Sequence, residues 1–307
     1  MSSSDAAYAH RPLSVSVQIG LLLSLATAFA SMLGFLYKHR GAIAMPEVDM
    51  RRPLRTSFAL FRNPWYTLGI LTATAGWGFH VGALALAPIS LVQATIAGGL
   101  VFLTVTADRL FAHEVTRREW VGVALAALGL AFLAATLGDT ASEAHSDYET
   151  ERLVPFLVLV TGAALIVAWQ APGKLREGIM FGVSAGLFWA ASDTAIKALS
   201  DGLGEKGALE ILITPLAALI ALASLAGLIV SARSLQVGKA VPVIALTSVA
   251  ANTLTIAAGP IVFEEPLPED AFGVALRMAA FALVISAAAL TPAPVGAAEA
   301  VEAADTA

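Results

Sequence analysis

Apolar residues in this chain run in blocks of 18 or more, separated by charged residues or by Pro and Gly. No other feature constrains the fold as strongly. A helix of about 20 apolar residues crosses roughly 30 Å of hydrocarbon. Charged residues make up only 13% of the 307 and apolar residues 58%, whereas roughly a quarter of an ordinary soluble domain is charged. So few charges cannot cover one water-soluble core of this size. The chain therefore reads as an all-α polytopic membrane protein with little room for a soluble domain.

Nine stretches have the required length and character: 14–36, 66–86, 90–110, 120–138, 153–170, 178–199, 209–231, 240–260 and 271–290. The first, around Leu13 to Tyr37, is too long for a signal-peptide core and reads as a retained span. Residues 1–13 read as a flexible N-terminus, and the Ala/Glu-rich tail 291–307 as disordered. Between the fourth and fifth stretches lies an acidic loop, Asp139–Glu151, which reads as a solvated external face.

Lys and Arg are distributed unevenly between the loops. Lys38, Arg40, Arg51, Arg52, Arg55, Arg62, Arg109, Arg117, Arg118, Lys174, Arg176, Arg233 and Lys239 share one side; Arg11, Arg152 and Lys206 lie on the other. The richer side is expected to be cytoplasmic. That places the N-terminus outside and, after nine spans, the C-terminus inside, in the plasma membrane. No basic stripe suits nucleic acid, and the absence of cysteine excludes disulfides and thiolate chemistry.

Two parts of the chain resemble each other. Glu114 precedes Gly122-Val123-Ala124-Leu125 as Glu265 precedes Gly273-Val274-Ala275-Leu276, a step of 273 − 122 = 151 residues. Leu36-Tyr37-Lys38 at the end of the first stretch can be laid over Ala195-Ile196-Lys197 at the end of the sixth. Five spans separate these partners, so the second copy is expected to be inverted. The organisation predicted is a first repeat over 14–138, a connecting loop and span over 139–177, and an inverted repeat over 178–290. Inverted repeats place a substrate site near the midplane between the halves.

The segment Gly76-Trp77-Gly78-Phe79-His80-Val81-Gly82-Ala83-Leu84-Ala85-Leu86-Ala87-Pro88, continued by Ile89-Ser90-Leu91-Val92-Gln93, resembles the hinge between spans two and three of the drug/metabolite transporter superfamily. The linker from glutamate to glycine ahead of a span, present twice, is similar to its EamA-type repeat. Phe188-Trp189-Ala190-Ala191-Ser192-Asp193-Thr194-Ala195-Ile196-Lys197 resembles the first span of its second half. Nine spans, an external N-terminus and a basic first internal loop look more like the NIPA-type branch, whose members are associated with magnesium transport. That branch typically carries a glutamate directly after the hinge glycine and an asparagine three residues later. Trp77 and His80 stand there in this chain, and an indole does not ligate a hard cation.

Ionisable groups inside spans cost about 2.5–3.5 kcal/mol at a helix centre, which makes each a candidate site. Asp193 and Lys197 lie four apart on one helical face, so an internal ion pair is available, structural or exchanged for a proton or cationic solute. Trp189, one turn away, supplies an aromatic wall or packs between helices. His80 reads as a helix-bonded histidine or a proton relay. Arg277 reads as a partner of Asp193, an anion site or a snorkelling side chain. Asn252 must hydrogen-bond across helices or to solute, and Gln93 and Gln18 are weaker candidates of that kind. Glu114 and Glu265 read as fixing loop geometry. Gly182-Ser184-Gly186 allows close helix approach, within the chain or across a homodimer.

No Walker A loop, HExxH or Gly-x-Ser-x-Gly occurs, so neither ATP drive nor a familiar hydrolase is predicted. The chain reads as no enzyme, with no cofactor and no metal-ligand set. The function expected is secondary transport of a small organic metabolite or drug-like solute. A NIPA-type divalent-cation transporter and a non-transporting membrane scaffold are the alternatives.

Overall fold

The computed structural model describes residues 14–46, 51–110, 117–136, 144–173, 176–200, 210, 213–238 and 240–290. Among these, regular structure is helical: α1 (Val15–Ile43), α2 (Pro53–Ala59), α3 (Pro64–Leu86), α4 (Ile89–Leu110), α5 (Arg117–Ala135), α6 (Thr150–Gln170), α7 (Glu177–Ser200), α8 (Pro215–Val237), α9 (Ala240–Val262) and α10 (Ala271–Leu290). The expected loose ends 1–13 and 291–307, and much of the acidic loop, lie outside the described residues. Six helices are long and apolar enough to cross a membrane (α1, α3, α6, α7, α8 and α10). The described parts of α4, α5 and α9 carry shorter apolar runs, Ile89–Gly99, Trp120–Leu133 and Leu246–Val262.

Local chemistry sets the helix ends. The Asn63 side chain accepts from the Trp65 and Tyr66 amides at 2.9 and 3.4 Å, and Pro64 follows at the first helical position. Thr214 and Pro215 repeat that device at α8, where the Thr214 hydroxyl accepts from the Ala217 amide at 3.2 Å. The cap corrects the expected start of the seventh span from 209 to 215. α1 also outruns its expected end and continues to Ile43, because nothing stops it: Arg40 lies 3.9 Å over the Trp65 ring, so its charge is accommodated beside α3. α2, started by Pro53, was not expected from the apolar pattern.

Helix bounds recur at one step. α3 and α8 begin 215 − 64 = 151 residues apart and end 237 − 86 = 151 apart; α4 and α9 begin 240 − 89 = 151 apart. Packing recurs with them: α1 lies on α3 and α4, while α7 lies on α8 and α9, and α5 meets α10 between the two sets. α7 is the central helix. Two thirds of its apolar window (67%) is buried, against 22–39% for the other five spanning helices.

Small residues let α7 take that place. A Cβ on Gly186 would stand 2.4 Å from the Thr247 carbonyl oxygen, and one on Gly182 would stand 3.1 Å from that of Val243. The small-residue stripe therefore receives α9 within the same chain. Elsewhere the surface is apolar: Leu159, Trp169, Leu222 and Phe272 are exposed, as lipid contact requires.

Candidate functional site

The hinge between α3 and α4 organises the site. Pro88 has no N–H, so the Leu84 carbonyl at the end of α3 lacks its helical donor. Lys197 from α7 supplies one. Its ammonium donates to Leu84 O at 2.7 Å, to Ala87 O at 3.0 Å and to Ala144 O. On the other side of the break the first turn of α4 offers free amides, and Ser90 N donates to Glu265 Oε1 at 3.2 Å. A cation thus meets the carbonyl end of one helix and an anion the amide end of the next, each matching the local backbone dipole. Lys197 and Glu265 attract one another, and Arg277 also acts on the Glu265 carboxylate. Lys197, Glu265 and Arg277 are 0%, 4% and 2% exposed, which makes this compensation obligatory.

One turn inward on α7 lies Asp193. Its Oδ2 accepts from Gln93 Nε2 at 2.9 Å, and its Oδ1 is 3.0 Å from His80 Nε2. The cluster joins α3, α4 and α7, and all three side chains are largely closed from solvent. His80 Nδ1 is buried without a hydrogen-bond partner. Such a group is uncommon in a finished core and is characteristic of a place where something binds or a proton moves.

The Asp193–Lys197 ion pair available in the sequence is not formed. Pro88 leaves carbonyl oxygens one turn further along α7, and the lysine reaches those, while His80 and Gln93 satisfy Asp193. Arg277 pairs with neither Asp193 nor the interface. Its Nε donates to Thr136 Oγ1 at 2.8 Å in a buried position. Trp189 packs its indole against Gly227 of α8, the interhelical alternative. Asn252 is buried on α9 and makes no hydrogen bond to the described residues. Gln18 is exposed, and Glu114 lies outside the described residues.

Trp77 is 46% exposed. His80, three positions further along α3, is by contrast 7% exposed. Sequence reasoning gave Glu265 only to loop geometry and assigned no role to Ser90 or Thr136. Glu265 sits outside any apolar run and nothing local marks it as buried. Among the described residues no three acidic or histidine side chains converge as a metal cage.

Over 277 residues, 86% of this chain and 79% of the relative, the sequence is 24% identical to an Arabidopsis thaliana protein described as a probable magnesium transporter NIPA9. No protein-family model matches the chain, and no solved structure does. The helical architecture and this relative agree: the chain is a multi-pass helical membrane protein similar to a NIPA-type protein.

Proposed function

We propose that the chain is a secondary transporter of a small organic solute, working by alternating access between two inverted halves, and that it is no enzyme. The observation that carries this reading is the buried His80–Asp193–Gln93 cluster. It ties α3 and α4 of the first half to α7 of the second and leaves one imidazole nitrogen unmet. A scaffold has no need of a buried carboxylate and its desolvation cost. Above the cluster, Lys197 and Glu265 close the hinge end of the bundle, which we assign to the outside from the Lys and Arg distribution. The conformation is then closed outward. Opening separates the hinge from α7, and solute exchanges for the Gln93 and His80 contacts of Asp193.

A second reading, divalent-cation transport, rests on the relative's name. One carboxylate with an amide and carbonyls nearby suits an ion that keeps most of its waters, as magnesium does. Uptake into liposomes separates the readings. Purified protein is given amino acids, nucleosides, organic amines or magnesium, each with wild type and with Asp193→Asn. Saturable organic uptake that disappears in Asp193→Asn supports the first reading. Saturable magnesium uptake with no organic uptake replaces it with the second, and no uptake of any solute leaves the scaffold.

A further inference from the structure

Three carbonyl oxygens converge on the Lys197 ammonium, from Leu84, Ala87 and Ala144. Their origin is unusual for a lysine contact. Leu84 O is freed by the missing N–H of Pro88, Ala87 O belongs to the cap residue of α3, and Ala144 O comes from the segment before α6. Neutral oxygens arranged around a point of positive charge, at the negative end of a helix dipole, are the ligand set that alkali and ammonium ions find. Glu265 supplies a nearby negative charge without occupying the cage: its Oε1 is engaged by Ser90 N. The lysine itself is fully buried. It contributes no ion pair within 4 Å among the described residues, so its charge is met chiefly by backbone oxygens.

We propose that the oxygens of Leu84, Ala87 and Ala144 form a monovalent-cation site that this chain keeps filled with its own Lys197 ammonium, and that the emptied site takes a free small ammonium or alkali ion. The wild-type protein carries its cation on a tether. It is therefore insensitive to which monovalent cation is in the buffer. Shortening the side chain removes the tethered ion, opens the volume of the lysine stem, and leaves the carbonyls to recruit a substitute. The proposal concerns the hinge and does not depend on which solute is transported.

The test is thermal unfolding of detergent-purified Lys197→Ala and Lys197→Ser, titrated with methylammonium, ammonium, potassium and sodium chlorides. Tetramethylammonium chloride at matched ionic strength is the control, because it is too large and has no N–H. Both variants are expected to melt below wild type and to regain several degrees, saturably, with methylammonium or one of the small cations. Wild type and Lys197→Arg, which keep a tethered cation, are expected not to respond. Recovery of a monodisperse variant only in methylammonium supports the proposal equally. Failure of every small cation to stabilise or recover either variant beyond the tetramethylammonium control overturns it. So does an equal response in wild type.

Discussion

Lys197 and Asp193 share a helical face yet serve different partners, and the difference lies in what each can reach. The lysine stem delivers its ammonium to carbonyls freed by Pro88, while the shorter aspartate stays with His80 and Gln93. Asp193→Asn preserves volume, and its side chain can still bond Gln93. We expect it to stay folded, with a thermal midpoint near wild type, and to lose at least about tenfold in uptake, a barrier increase of about 1.4 kcal/mol. Retention of wild-type uptake would remove Asp193 from the site. Glu265→Ala takes the acceptor from Ser90 N and a counter-charge from Lys197 and Arg277. Breaking a buried charge network in this way costs about 3–5 kcal/mol, which denaturation in mild detergent should register as a large fall in stability. At the far end of α1, burial lowers the Lys38 amine to about 8 from the ordinary 10.5. The unfolded chain binds that proton more tightly, so the contribution of Lys38 to stability rises as pH climbs from about 8 to 10.5. Comparing thermal midpoints of wild type and Lys38→Met across that window should show the rise only in wild type.

Helix α7 is placed by its small residues, and the same residues make it vulnerable. A Cβ at Gly186 meets the Thr247 carbonyl at 2.4 Å, a backbone atom that cannot swing aside. Gly186→Ala must therefore move α7 from α9, at an expected cost of about 1–3 kcal/mol. Gly78 in α3 has open space around it. There the same substitution should be neutral or should stabilise by up to about 1 kcal/mol through helix propensity. Melting both variants side by side checks the pair, and equal effects would refute the close-approach account. The spans themselves were legible as apolar runs. The start of α8 was not, because Ile211-Leu212-Ile213 are as apolar as the helix that follows. Only the Thr214-Pro215 cap decides where the helix begins.

At the scale of the whole molecule, the polar groups of the site come from both sets of helices. The hinge belongs to α3 and α4. Lys197 comes from α7, Glu265 from the α9–α10 connection, and Ala144 from the segment before α6. On the proposed alternating-access reading, closure of the hinge end rests on these contacts between the two sets of helices. Orientation is open to a direct check, because the chain has no cysteine. Single cysteines at Glu149 and at Phe58 are both exposed positions. A membrane-impermeant maleimide applied to intact cells should label the first and not the second. The reverse pattern would invert the topology drawn from the Lys and Arg distribution.

The sequence by itself determined that the chain is a helical membrane protein, roughly where its six long apolar helices lie, and which family it resembles. These follow from hydropathy and local caps, which act along the chain. It also marked Asp193, His80 and Gln93 as expensive polar groups worth explaining. The tertiary structure alone decided who meets whom. Asp193 turned from Lys197 to His80 and Gln93, and the loop residue Glu265 became a buried counter-charge. Each outcome depends on helices brought together from distant parts of the chain. The carbonyls left unpaired by Pro88 become a lysine site only when α7 is packed beside them.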